Sequence, residues 1–349
     1  MNKSAERNSS IELLRICAGM AVVILHFNYG SISAVDKTSG PVHYTLLVLE
    51  AICICAVDVF IFVSGYFGSS SLQIKPSKLA NLLIQTSAFR FGTEVISCIL
   101  HKKWSWEGLI VSLLPVNYFV ILYVGLMLIS PYINVLLKKL TASGLLNLLV
   151  ICVVAFSVYP TLVDVLKEVS GRELEGLSSI SLNGSGGGYT VSNFILVYVV
   201  GAIARKLNIV EKISLRKWLI IWSISVVVIY LWRIILPGTA YSYSNFMVIL
   251  EAASIFSIFH KINIQNRAVN ILAPASFTCF LLHDKVLVII SKKIDFGLPP
   301  LLLLGVLVLL VAGTYLLSFV VMLIWNAVTE PVYKLTIDRI PVIRADEKD

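Results

Sequence analysis

Long apolar runs separated by short polar connections recur along the whole chain. An α-helix needs about 20 mainly apolar residues to cross the hydrocarbon core of a bilayer. The pattern therefore predicts an all-α fold, a polytopic integral membrane bundle of about ten transmembrane helices. The predicted helices lie near 10–28, 45–67, 79–99, 115–137, 145–166, 190–207, 215–235, 243–260, 271–291 and 299–326.

Composition supports a membrane protein. Of the 349 residues, 58% are hydrophobic and only 14% are charged, whereas soluble domains are about 25% charged. The net charge of +8 comes from short basic clusters between apolar runs, so we expect no nucleic-acid partner. The six cysteines all fall inside apolar runs without zinc-ligand spacing, and we expect no metal site.

Loop charges predict the orientation. With the N-terminus inside, the inner loops hold 17 Lys and Arg residues and the outer loops hold 8. The positive-inside rule then places both termini in the cytoplasm and loop 167–189 outside. We expect a membrane domain over residues 1–330 and a cytoplasmic C-terminal tail over 331–349.

The first apolar run also resembles a secretory signal peptide, because basic residues precede it and small residues follow it. Glu12 and Arg15 interrupt its early part, and many further spans follow. We therefore expect an uncleaved first helix. Ser9 and Glu12 have the spacing of a capping box, which predicts a helix start there.

Besides Glu12, two ionisable residues lie in this helix, Arg15 near its start and His26 near its end. Eleven residues are close to three helical turns, so both side chains share one face, roughly 16 Å apart along the axis. Ionisable groups inside a membrane are costly and usually face a protein interior or a wet cavity. The first helix is therefore expected to carry part of a functional site.

Other predicted spans also hold ionisable residues, among them Asp58, Glu251 and His283. Histidine suits proton transfer near neutral pH, and the arginine fork suits phosphate or carboxylate groups. Acyl transfer from a phosphate-bearing donor uses both kinds of group, and so does proton-coupled transport. The residue chemistry alone leaves these two readings open.

Five segments occur in one order along nearly the whole chain: IELLRICAGMAVVILHF, VDVFIFVSGYF, NYFVILYVGLMLISPYIN, GGYTVSNFILVYVVGAIARKL and SFTCFLLHDKVL. Together they resemble the membrane-bound acyltransferase family 3, whose members often O-acetylate bacterial surface polysaccharides. The resemblance implies an acyl-CoA donor bound from the cytoplasm and a sugar acceptor on the outer side. It also implies a catalytic role for His26 and a functional role for Arg15. From their spacing along one helical face, we expect an extended pantetheine arm to bridge the two.

The chain departs from the family in one loop. Where the family often carries an R-x-x-R pair, this sequence has Lys75 and Lys78. Lysine still meets a phosphate as a point charge, but it does not bind the phosphate bidentately. The resemblance therefore assigns CoA phosphates to Arg15, Lys75 and Lys78 with a weaker match at the two lysines.

The resulting hypothesis is a multi-pass O-acetyltransferase of the cell membrane. It would transfer an acetyl group from acetyl-CoA to a hydroxyl of an envelope polysaccharide or its lipid-linked precursor. His26 would act as general base or hold the acyl group, while Asp58 and His283 would orient the site. The alternative is a transporter or flippase for a glycan or small molecule. The expected partners are the bilayer, acyl-CoA and a glycan; the sequence leaves the oligomeric state open.

Overall fold

The structure, a computed structural model, describes residues 8–172, 174 and 186–345. It is 78% helical with almost no sheet, which confirms the all-α class. The helices are α1 (Ser9–Asn28), α2 (Gly40–Cys53), α3 (Ala56–Gly68), α4 (Pro76–His101), α5 (Trp106–Ser112), α6 (Tyr118–Lys139), α7 (Ala142–Val153), α8 (Tyr159–Ser170), α9 (Val191–Lys206), α10 (Ile209–Lys212), α11 (Leu215–Ile235), α12 (Phe246–Lys261), α13 (Arg267–Leu272), α14 (Ala275–Ser291) and α15 (Pro300–Leu335). Two short strands, β1 (Gln73–Ile74) and β2 (Ile343–Arg344), complete the set.

Each of the ten predicted segments coincides with helix, but a count of ten membrane spans is not confirmed. Within the described residues, six helical stretches are long and apolar enough to cross a bilayer. Helices α9, α12 and α14 have only 16 or 17 residues, and α4 carries charged residues along its length. The structure therefore shows a multi-pass membrane protein with at least these six candidate spans.

The chain forms two compact units. The first comprises Met1–Gly68 and Leu140–Phe319, and the second comprises Ser69–Lys139 and Val320–Asp349. Helix α15 belongs to both, and it continues past residue 330 to Leu335. The predicted outer loop 167–189 lies largely outside the described residues.

Helix α1 begins at Ser9, but its cap differs from the predicted one. The side chain of Asn8 accepts hydrogen bonds from the backbone N–H groups of Ser10 (3.0 Å) and Ile11 (3.4 Å). The predicted capping box of Ser9 and Glu12 is therefore wrong. Asparagine caps a helix as well as serine does, and Asn8 is one residue earlier, which leaves Glu12 free to pair elsewhere.

The second predicted span is broken in its middle. Helices α2 and α3 are separated by a turn at Ile54 and Cys55, although together they form one 29-residue apolar stretch. Glu50 and Asp58, which flank this turn, are both buried. Irregular backbone at membrane depth is tolerated where protein surrounds it, as it does here.

The first unit is packed most closely between α3 and α9. A Cβ atom added at Gly65 would lie 2.1 Å from the carbonyl oxygen of Tyr198, and one at Gly201 would lie 2.5 Å from that of Phe62. Only glycine permits such close backbone approach, as is common between membrane helices. Helix α1 packs in the same unit against α2, α3, α12 and α14.

The second unit consists of α4, α5, α6, the end of α15 and the two strands. Strand β1 pairs antiparallel with β2, with Gln73 opposite Arg344 and Ile74 opposite Ile343. The side-chain amide of Asn134 on α6 donates to the carbonyl oxygen of Ser71 (2.8 Å). These contacts hold the segment that precedes α4 in place and thereby position Lys75, which precedes the helix, and Lys78 in its first turn.

Candidate active site

His26 lies in the last turn of α1 and meets two polar residues of α14. Its Nδ1 atom is 3.5 Å from an oxygen of the Asp284 carboxylate, and its ring contacts that of His283 edge-on with centroids 4.4 Å apart. The side chains of His26 and Asp284 are 38% and 47% exposed, so a substrate can reach them. This 3.5 Å contact is longer than a normal hydrogen bond, and Nδ1 has no hydrogen-bond partner among the described residues.

His283 is buried behind His26. Its Nδ1 atom lies 3.1 Å from the carbonyl oxygen of Cys279, which can only accept a hydrogen bond. Nδ1 therefore carries the proton, and the other ring nitrogen, Nε2, is buried with no hydrogen-bond partner among the described residues. His283 thus presents a rigid, oriented ring to His26.

The loop after α1 folds back over the His26 turn. The backbone N–H of Ile32 donates to the carbonyl oxygen of His26 (3.4 Å), and Ser31 Oγ donates to Asp284. A Cβ atom at Gly30 would lie 2.7 Å from His26 Nδ1 and 2.8 Å from its Cα. Glycine at this position therefore lets the loop pass close enough to hold the imidazole against Asp284.

Arg15, at the other end of α1, has a simpler environment. Its Nη1 atom forms an ion pair with Glu12 (3.0 Å), and its side chain is 40% exposed. The carbonyl oxygen of Arg15 accepts a hydrogen bond from Ser276 of α14. Since Ser276 and His283 are two turns apart on α14, that helix contacts both ends of the face shared by Arg15 and His26.

That shared face is filled between its two ends. A Cβ atom at Gly19 would lie 3.3 Å from Ser276 Cβ and 3.4 Å from the ring of Tyr315. The expected path for a pantetheine arm straight along this face is therefore closed by α14 and Tyr315. Between these two residues, this face of α1 packs against a neighbouring helix and does not line a channel.

A cavity of about 350 Å³ opens on a different side of α1. It extends from Leu14 to Ile24, beside the turn between α2 and α3, and its lining is almost entirely apolar. The two amides of a pantetheine arm would lack hydrogen-bond partners there, which is costly. The cavity therefore suits hydrocarbon and does not form the missing path.

None of the described contacts of Asp58 involves His26, His283 or Asp284. Asp58 lies in the first turn of α3 and is fully buried. Neither of its carboxylate oxygens accepts a hydrogen bond of normal geometry from the described residues. Its nearest polar neighbours are Asn193 and Glu251, which are also fully buried. The structure thus joins His283 to His26 but does not join Asp58 to them.

Lys75 and Lys78 lie in the second unit. Lys75 is the residue before the first turn of the 26-residue helix α4, and Lys78 lies within that turn. Both side chains are exposed. The unpaired N–H groups and dipole at a helix N-terminus favour anions, and the two lysines add charge to that preference.

Comparison with protein families agrees with the resemblance noted from the motifs. A family model described as an acyltransferase domain matches residues 8–322, which include the whole His26 cluster. The chain belongs to acyltransferase family 3. Comparisons with curated proteins and with solved structures give no match. The protein is therefore a membrane acyltransferase with a His–Asp pair at the end of its first helix.

Three residues of this acyltransferase site were missed as site residues by sequence reasoning. Asp284, Ser31 and Gly30 were assigned no role from the sequence. Asp284 has one recognisable signal, because a carboxylate next to a histidine inside an apolar segment is costly without a purpose. No local pattern identifies Ser31 or Gly30, since their roles depend on how the loop folds back.

The acyltransferase also has a polar cluster just beyond His26. Arg233 donates to the hydroxyl of Tyr29 through Nη2 (2.9 Å) and Nε (3.2 Å), and Tyr241 donates to the carbonyl oxygen of Leu47 (3.1 Å). Burial, and next the charge of Glu50, raises the pKa of Tyr241, so this loop phenol stays protonated. The Arg233 side chain is therefore held by neighbouring residues and does not simply extend toward the membrane interface.

Proposed function

We propose that the protein is an O-acetyltransferase in which His26, oriented by Asp284, is the general base. It transfers an acetyl group from acetyl-CoA to a hydroxyl of an envelope polysaccharide or its lipid-linked precursor. The supporting observation is the 3.5 Å approach of His26 Nδ1 to the Asp284 carboxylate between two partly exposed side chains, backed by His283. A histidine held by a carboxylate at one nitrogen is a recurring arrangement for proton transfer to and from a hydroxyl.

The orientation of the imidazole assigns its atoms. Because Nδ1 faces the Asp284 carboxylate, Nδ1 carries the proton and Nε2 accepts the proton of the acceptor hydroxyl. The hydroxyl oxygen attacks the thioester carbonyl carbon, the new C–O bond forms and the C–S bond breaks. The proton then passes from Nε2 to the leaving sulfur, so the products are an ester and free CoA. Asp284 stabilises the imidazolium between the two steps.

We assign the CoA phosphates to Arg15, Lys75 and Lys78. Because Ser276 and Tyr315 fill the face between Arg15 and His26, this assignment requires the pantetheine arm to reach His26 by another route. Arg15 keeps guanidinium N–H groups beyond its single bond to Glu12, and it is accessible. Lys75 and Lys78 are exposed at a helix N-terminus, where backbone N–H groups and the helix dipole favour phosphate binding. His283 orients His26 by ring contact, while Asp58 would act only indirectly, through helix α3 on which α1 packs.

This assignment requires Arg15 to face the cytoplasm and His26 to face outward in the cell membrane. The loop charges support that orientation. An Arg172→Cys variant, exposed just after α8, should react with a membrane-impermeant thiol reagent in intact cells. An Arg267→Cys variant, on the opposite side, should react only after lysis. The reverse labelling pattern would reject the orientation.

Mass spectrometry of envelope glycans tests the function directly. Cells that lack the gene should lose an acetyl mass from a surface glycan, and the parent gene should restore it. A His26→Gln gene, expressed at a matched level, should not restore it. Loss of the whole polymer with no change in acetylation of its precursor would instead support a flippase.

A further inference from the structure

Arg233 is held in a fixed position at the end of α11, although an arginine near a helix end in a membrane is free to extend into the interface. Its guanidinium lies over two tyrosine rings, 5.1 Å from the centroid of Tyr29 and 5.4 Å from that of Tyr241. Its third partner is the carbonyl oxygen of Pro237. The group is therefore pre-organised and only half-buried.

This arginine is tied to the end of the helix that carries His26. Tyr29 follows α1 directly, and its backbone N–H donates to the carbonyl oxygen of Leu25 (3.0 Å). His26 and Tyr29 are only three residues apart in this last turn. A ligand held by Arg233 would therefore lie at the same end of α1 as the imidazole.

The guanidinium retains unused donors. It has five N–H groups, and its described hydrogen bonds use Nε, one N–H of Nη2 and one of Nη1. One N–H remains on each terminal nitrogen. Two such donors in a rigid fork match the two oxygens of a carboxylate or phosphate.

The nearest acidic group does not occupy those donors. Glu50 interacts electrostatically with Arg233, but no ion pair within 4.0 Å joins these two described residues. The Glu50 carboxyl is buried and accepts a hydrogen bond from the side-chain amide of Asn28 (2.9 Å). The exposed edge of Arg233 thus remains available to an anion that arrives from solvent.

Aromatic rings around the arginine suit a sugar. The ring centroids of Tyr29 and Tyr241 lie 5.8 Å apart, and both rings face the guanidinium. Tyrosine offers an apolar face with a polar tip, and pyranose rings offer apolar C–H faces with polar edges. An arginine fork within such a group of tyrosines combines ring contact with anion recognition.

We propose that Arg233, together with Tyr29 and Tyr241, forms an acceptor subsite for a sugar with an anionic group, either a carboxylate or a phosphate. This inference rests on the proposed function, because it treats the His26 end of α1 as the acceptor side. It predicts that the acceptor is an acidic saccharide or a glycosyl phosphate. A neutral sugar would use the tyrosines alone and bind more weakly.

The subsite can be tested by ligand binding without an acyl donor. Saturation-transfer NMR on the full-length protein in nanodiscs would measure Kd for methyl glucuronide, methyl glucoside and glucose 1-phosphate. The variants are Arg233→Gln, Arg233→Lys and the control Arg267→Gln, which changes an exposed arginine on α13. Thermal unfolding of each variant identifies preparations that are not folded.

The parent and Arg267→Gln should bind at least one anionic probe about tenfold more tightly than the glucoside, as expected for a charge-assisted pair. Arg233→Gln should remove that preference, and Arg233→Lys should restore it in part. A preference for glucuronide alone assigns a sugar carboxylate, and one for glucose 1-phosphate alone assigns a phosphate. Equal binding of neutral and anionic probes by the parent, or an unchanged preference in folded Arg233→Gln, would overturn the subsite.

The experiment separates this inference from the proposed function. The preference for anionic probes is measured without acetyl-CoA, so its outcome does not depend on whether the protein catalyses acetyl transfer. Absence of His26-dependent acetyl transfer would reject the proposed function while the probe preference remained measurable. Absence of the preference alongside His26-dependent transfer would reject only the subsite.

Discussion

The two ends of α1 each carry an ionisable residue on the same helical face, yet the structure surrounds them differently. At the Arg15 end, one ion pair with Glu12 leaves the side chain open and able to turn toward a ligand. At the His26 end, Asp284, His283 and the loop at Gly30 enclose the imidazole from several directions. One end has a mobile charge and the other a fixed ring.

Because of this difference, we expect the two ends of α1 to affect different quantities, the affinity for acyl-CoA at one end and the rate of the chemical step at the other. A charge on a long, exposed side chain attracts an anion over a range of geometries, so its loss chiefly weakens binding. Proton transfer needs an atom placed within hydrogen-bond reach, so displacement of a fixed imidazole chiefly slows the chemical step. Changes at the His26 end should therefore lower kcat, and changes at the Arg15 end should raise the Kd for acyl-CoA.

Among changes to the surroundings of His26, Asp284→Asn should have the largest effect. The amide keeps the size of the side chain but no longer stabilises the imidazolium or favours the proton on Nδ1, so kcat should fall by about a hundredfold or more. Transfer by purified variants measures this fall, with Asp36→Asn as a control at an exposed aspartate. An Asp284→Asn enzyme of parent activity would show that His26 needs no carboxylate.

Gly30→Ala should have the next largest effect. The added Cβ would overlap His26, so the loop or the imidazole must shift, and kcat should fall by about tenfold while acyl-CoA affinity changes little. Gly313→Ala is the matched control, because a Cβ atom there meets no other atom within 4 Å. Equal kcat in the two folded variants would show that the loop at Gly30 does not position the His26 imidazole for catalysis.

At the other end of α1, Arg15→Gln should raise the Kd for acetyl-CoA by about tenfold with little change in kcat at saturation, because a charge-assisted phosphate contact is lost. Glu12→Gln distinguishes this role from a structural one. If Arg15 binds CoA, releasing it from Glu12 should leave affinity unchanged or improve it. If the ion pair only supports the helix, both variants should lose stability, and neither should weaken CoA binding selectively.

The smallest effect is expected for the two lysines at the N-terminus of α4. Changing both Lys75 and Lys78 to Gln should raise the Kd for acetyl-CoA several-fold in low salt and less in high salt, because salt already screens exposed charges. Lys138 and Lys139, at the far end of α6, provide a control pair. A loss of affinity independent of salt, or equal to that of the control pair, would contradict phosphate binding.

Much of the fold could be predicted because apolar length dictates membrane helices. The ten predicted segments coincide with helix, and the face shared by Arg15 and His26 follows from helical spacing alone. The break at Ile54 and Cys55 could not be predicted, since neither residue is a helix breaker. The helix cap at Asn8 was missed because two adjacent residues were equally good candidates.

The site was predicted only as far as single residues allow. His26 and His283 could be singled out by the cost of burying ionisable groups, but their contact depends on how α1 and α14 pack. Spacing also predicted that a pantetheine arm would extend from Arg15 to His26, where the structure places Ser276 and Tyr315. Periodicity identifies which residues share a face, but it does not identify what covers that face.

The central claim is that the His26 end of α1 carries the chemistry and the Arg15 end holds the donor. The most direct test measures acetyl-CoA binding and single-turnover acetyl transfer on the same preparations of His26→Gln and Arg15→Gln, matched for folded yield. The account predicts that His26→Gln binds acetyl-CoA like the parent and transfers no acetyl group, while Arg15→Gln binds weakly but transfers at saturation. A folded His26→Gln protein that transfers acetyl groups at the parent rate would contradict it.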